Sequence, residues 1–158
     1  MSNAFPASII HCVDQQETVV EFTLEHVNWL AILACVVAGQ ILLTVWFVVV
    51  FADPWAKAYG GEGMTRAEHT KAVPGYTYAI GAVCVFVLSL GLSLLQGALG
   101  VEGVGEALQL AGFLSVVIFV AMAMPAYAFL RRWRAFAIGA GSQLALIVVV
   151  SSILALWP

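Results

Sequence analysis

Four long stretches of this chain, residues 27–52, 72–101, 107–130 and 135–158, contain no ionisable Asp, Glu, Lys, Arg or His. Each exceeds the roughly 20 residues that cross about 30 Å of hydrocarbon at about 1.5 Å per residue. Inside lipid every backbone N–H and C=O must be paired within the protein, and the runs are continuously apolar rather than alternating. Helices are therefore expected, not barrel strands. The charged fraction is 9%, against about 25% in soluble domains, so an aqueous fold would lack polar surface. The expected fold class is an all-α membrane protein: an up-down four-helix transmembrane bundle. Its spans fall near 28–51, 74–99, 107–130 and 135–157, with an acidic segment, 1–27, ahead of the four-span domain 28–158.

The basic residues orient this bundle. All six lie in two segments: Lys57, Arg66 and Lys71, then Arg131, Arg132 and Arg134. The N-terminal segment, the turn at 101–106 and the C-terminus hold Asp14, Glu17, Glu21, Glu25, Glu102 and Glu106 but no Lys or Arg. By the positive-inside rule both basic loops are cytoplasmic and both termini are outside, as in a bacterial inner membrane. The aromatics agree. Trp29 and Trp157 fall at the outer interface, and Trp55, Tyr59, Tyr76, Tyr78, Tyr127 and Trp133 at the inner one. Inner anchors are expected at Trp55, Tyr59, Arg131, Arg132, Trp133 and Arg134. Trp46 is the exception, lying about one and a half turns inside the first span.

The first apolar run is longer than a signal-peptide core, and no basic n-region precedes it, so the N-terminal segment is expected to be retained. Its Asp14, Glu17, Glu21 and Glu25 recur at helical spacing, while Val20, Phe22 and Leu24 alternate as in a strand; a helical extension of the first span is preferred. In the inner loop Asp53 followed by Pro54 has the form of an N-cap and first helical residue, with Gly60 and Gly61 as a stop. Thr65 and Glu68 have capping-box spacing for a second short helix. The short turns at 131–134 and 100–106 predict antiparallel hairpins of spans three with four and two with three.

Within the spans, Gly81, Ser89, Ser93 and Gly97 lie on one face of the second. Gly139, Gly141 and Ala145 cluster on the fourth, with Ser142 beside them, and the first pairs Ala34 with Ala38 and Cys35 with Gly39. Such residues let helix backbones approach in lipid. Packing within one bundle is the preferred reading, and a homo-oligomer interface the alternative. Gln40 and Gln143 are the most polar side chains deep in the spans. Their depths match closely enough for an interhelical hydrogen bond of about 0.6–2 kcal/mol, or for a polar site on a small-ligand path.

Several function classes are excluded or weakened. Proton relays, coupled transporters and voltage sensors use ionisable groups inside the membrane, and the spans have none. Six scattered basic residues cannot track a phosphate backbone, so no nucleic acid partner is expected. Cys12, Cys35 and Cys84 show no paired spacing, which indicates neither a zinc site nor a disulfide framework. His11 and His26 stand alone. A catalytic reading would rest on Asp53, Glu62, Glu68, His69 and Lys71, none in a diagnostic spacing, so no catalytic residue or cofactor is expected.

The order of certain residues is familiar. Asn28, Trp29, Leu30, Ala31 and Ile32, then Trp46 and Phe47, Phe51, Trp55 and Lys57, followed by Gly112 and Phe113, resemble the membrane family catalogued as domain of unknown function 1761. So do Phe136, Ala137, Ile138, Gly139, Ala140 and Gly141, and the closing Ile153, Leu154, Ala155, Leu156 and Trp157. The chain departs from that pattern at Thr44, Val48 and Val49, and has no asparagine near Gly141. The resemblance implies a four-span architecture and carries no catalytic residue with it. The leading expectation is thus a non-enzymatic membrane protein in contact with lipid, acting by self-association or as a subunit of a larger assembly. The alternative is a small transporter or channel for a neutral or lipid-like solute.

Overall fold

The computed structural model describes residue 24 and residues 27–58, 67–68, 71, 74–125 and 133–157. Among them the chain is helical and has no strand. Four helices are long and apolar enough to cross a membrane, and the protein is an integral membrane protein.

Helix α1, Trp29–Thr44, starts because the Asn28 Oδ1 accepts the backbone N–H groups of Leu30 (3.1 Å) and Ala31 (3.2 Å), two of the donors a helix start leaves orphaned. It does not continue to residue 51 as a regular α-helix. From Val45–Val50 it widens into a π-helix, closed by the Phe51 N–H donating to the Trp46 carbonyl at 2.8 Å. Phe51 leaves helical geometry (φ −112°, ψ 19°), and the short helix α2, Ala52–Ala58, follows. The expected cap at Asp53 is corrected. Asp53 lies within the first turn of α2, and Pro54 is tolerated there because a first-turn N–H has no intrahelical acceptor.

Helix α3, Tyr76–Ala98, ends in a Schellman motif. Gly100 takes φ +64°, a left-handed conformation that glycine adopts without a Cβ penalty, and the Val101 N–H reaches the Gln96 carbonyl at 2.9 Å. Helix α4, Val104–Pro125, begins three residues earlier than the sequence predicts, its Glu106 carboxylate accepting the Glu102 N–H at 3.0 Å. Helix α5 is Trp133–Leu156. The expected helix or strand at 14–23 and most of the proposed capping box at 65–68 lie outside the described residues.

The packing differs from a square of four successive hairpins. Helix α5 packs against α4, α1 and, less extensively, α3, while α1 packs against α3 and α5. Helices α3 and α4, although joined by a tight turn, share almost no packing. The hairpin expected for them is therefore connected but not packed. In α5, 44% of the span is buried, against 11–17% in the other three, so α5 carries most of the core. Helix α1 runs antiparallel to both α3 and α5, which therefore run parallel where they meet. Gly39 meets Val85 and Leu146, Cys35 meets Val150, and Trp46 meets Ile138. Outward, Leu33, Val37, Ile41, Val83, Val87, Phe113, Val116 and Val120 are exposed, an apolar coat suited to lipid rather than water.

Candidate functional site

The site lies where the regular part of α1 ends. Consecutive helical residues point about 100° apart, so Gly39 and Gln40 face different neighbours. Gly39 faces the crossing of α3 and α5. Gln40 faces α3 alone, and its Nε2 donates to the Tyr78 carbonyl at 2.7 Å. Gly81, one turn further along α3, makes room for it: a Cβ there would lie 3.4 Å from Nε2 and 3.5 Å from Oε1 of Gln40. The pairing of Gln40 with Gln143 is thereby corrected. Their depths match, but Gln40 turns to α3, while Gln143 is half-buried on α5.

Below Gln40 the π-helical segment turns two neighbouring aromatics in different directions. Such segments shift the register of all that follows and recur at functional sites. Trp46 points to α5, its Nε1–H donating to the Ile138 carbonyl at 3.0 Å, and its ring lies against Gly141, where a Cβ would sit 3.0 Å from Cζ2. Phe47 instead meets Trp55 of α2 edge-on, with ring centroids 4.7 Å apart. Trp55 also approaches Gly139, whose Cβ position is 4.0 Å from its ring.

Between these groups is a cavity of about 310 Å³ lined by Gln40, Leu43, Thr44, Phe47, Val48, Ala52, Trp55, Thr77, Tyr78 and Gly81. Its walls are mostly aliphatic and aromatic. Polar groups come from Gln40, Thr44, Thr77 and the amphipathic rings of Trp55 and Tyr78. With Nε2 donating to Tyr78, Oε1 of Gln40 has acceptor capacity left. A second groove of about 410 Å³ continues along the same α1–α3 seam, lined by Trp29, Ile32, Leu33, Val36, Ala82, Val83 and Phe86. On α1 the positions 29, 33, 36, 40, 43 and 47 share one face, so the two recesses follow a single stripe.

The remaining predicted positions are dispersed. Ser89 is fully buried and donates to the Val85 carbonyl of its own helix at 2.8 Å, as Ser142 does to Gly139 at 2.7 Å. Ser93 is half-buried, Gly97 is exposed and meets nothing within 4 Å, and Ala145 is half-buried. Trp133 is exposed and tilts against Phe136 at 5.2 Å, and Arg134 is exposed. Tyr59, Arg131 and Arg132 lie outside the described residues, as do His11, His26, Glu62 and His69. Among the described residues no three His, Cys, Asp or Glu side chains converge as a metal site would require.

The sequence reading missed Thr44, Phe47, Thr77 and the Tyr78 carbonyl as one site. One signal was present, the position of Trp46 deep in the span, because a tryptophan there needs an acceptor for its N–H.

No curated protein and no solved structure matches the chain. The family described as Protein of unknown function (DUF1761) matches residues 30–155, which takes in the site, the π-helical segment and all four spans. The chain belongs to that family.

Proposed function

We propose that the protein binds an uncharged, lipid-like molecule in the α1–α3 seam, with its polar end at Gln40. The carrying observation is the cavity of about 310 Å³ at the π-helical segment, mostly apolar, with polar groups from Gln40, Thr44, Trp55, Thr77 and Tyr78. Pockets of this size with few convergent polar groups suit small molecules, and among the described residues no Asp, Glu, Lys or Arg lines it, which disfavours a charged guest. Binding or carriage is favoured over free conduction, because Val85 and Leu146 close tightly on Gly39 beside the cavity.

Part of the small-residue face is occupied inside the monomer, while Gly97 stays open. Gly39, Gly81, Gly139 and Gly141 each face a side chain of the same chain, so those small residues are used within the monomer. Among the described residues α4 packs mainly on α5, which leaves more of its surface for a partner.

The binding reading is tested by titrating delipidated protein in detergent with a brominated single-chain alcohol and following tryptophan quenching at Trp55. Saturable quenching is expected. Thr44→Phe, which fills the cavity, abolishes it, and Gln40→Leu weakens it about 3–10-fold, one hydrogen bond's worth. Quenching that never saturates and is equal in all three proteins would reject the reading.

In the orientation we propose, the end bearing Lys57, Lys71 and Arg134 is cytoplasmic. In a background with native cysteines replaced, Glu102→Cys labels with an impermeant maleimide in intact cells and Lys57→Cys only after lysis. The reverse pattern would invert the topology.

A further inference from the structure

At the opposite end of the molecule, the start of α1, the end of α3, the α3–α4 turn and the end of α5 enclose a second cavity, of about 360 Å³. Its chemistry differs from that of the seam. Asn28, Ser93, Gln96, Glu102 and Trp157 converge on it. Gln96 is only 6% exposed, and its Nε2 leans toward the Ser151 carbonyl at 3.4 Å, which leaves its Oε1 as an acceptor. That hydrogen bond offsets the cost of burying the amide at the cavity wall.

The charge at this end has one sign. No Lys or Arg occurs before residue 57, between 71 and 131, or after 134, whereas Glu102 contributes a carboxylate to the rim. Trp157 adds an indole face, which attracts organic cations through its quadrupole. One carboxylate, neutral oxygens and an aromatic ring form too poor an oxygen cage for a divalent metal, but they suit an alkylammonium group.

We propose that this outer vestibule is a binding site for an ammonium group, with Glu102 supplying the charge, Gln96 and Ser93 the oxygens and Trp157 the aromatic wall. It is independent of the seam. The ammonium can belong to a free amine or to a phospholipid headgroup, and both present the same chemistry.

The test compares choline with its neutral carbon isostere, 3,3-dimethylbutan-1-ol, by calorimetry on the full chain in maltoside detergent. Choline binds at least tenfold more tightly. Glu102→Gln removes that preference, and Gly97→Leu, whose added side chain starts in open space, abolishes binding with the thermal transition preserved. Repeating the titration in nanodiscs separates the sources. Choline binding lost in phosphatidylethanolamine but kept in phosphatidylglycerol identifies the headgroup, and binding kept in both identifies a free amine. Equal affinity for choline and the isostere, or affinity indifferent to both variants, overturns the proposal.

Discussion

Gly39→Ala lowers the unfolding free energy by about 1–3 kcal/mol, the cost typical of overpacking a filled core. The new Cβ would stand 2.6 Å from Val85 Cγ1, 3.3 Å from Val85 Cγ2 and 2.9 Å from Leu146 Cδ1. Leu146 can swing its terminal methyl aside. Val85 cannot, because a β-branched side chain on a helix has essentially one χ1 rotamer, and it is fully buried. The backbones of α1 and α3 must then separate where α5 crosses them. Denaturant unfolding in mixed micelles measures the effect, with Gly91→Ala and Gly112→Ala as controls. Neither control Cβ meets anything within 4 Å, so each leaves stability unchanged or raises it by up to about 1 kcal/mol through the unfolded chain. Adding Val85→Ala to Gly39→Ala recovers much of the loss, a coupling expected of residues in contact. Equal stability of Gly39→Ala and the two controls would show that the crossing is not tight.

Trp46→Ala costs about 3–5 kcal/mol, as aromatic truncations in packed sites do. Two contributions are lost at once: the indole N–H bond to the Ile138 carbonyl at 3.0 Å and the ring packed on Gly141 and, at 4.8 Å, on Phe51. Trp46→Phe keeps most of the ring and removes the bond, and so costs only about 0.6–2 kcal/mol. Gly141→Val makes the complementary perturbation, driving methyls into the indole from the other side. Trp46 anchors the π-helical segment to α5, so Trp46→Ala also weakens guest binding in the seam through loss of position rather than of contact. The readouts are the unfolding midpoint and the quenching titration. A Trp46→Phe variant as unstable as Trp46→Ala would assign the whole effect to the hydrogen bond.

The two predictions concern residues that the sequence presents very differently. Gly39 appears there as one member of several small-residue pairs, indistinguishable from Gly97, which meets nothing. Trp46 is conspicuous because it breaks the interfacial pattern, yet its acceptor lies 92 residues away. Gln40 and Gln143 show the limit of depth matching. Rise along a helix is readable from position in the chain, but rotation about it is not, and rotation sends Gln40 to Tyr78.

What the chain alone determined was its solvent and its segmentation. A charge in hydrocarbon is costly, so ionisable residues mark the ends of spans, and each of the four apolar runs holds a helix long and apolar enough to cross a membrane. Which helices touch was decided only in three dimensions. Apart from Gln40 and Thr44 the first span is apolar all round, and lipid solvates one apolar face as well as another. Close packing at Gly39, the indole bond of Trp46 and the π-helical widening break that degeneracy. Each depends on residues far apart in the chain, which is why α5 sits at the centre and α3 and α4, though adjacent in sequence, scarcely meet.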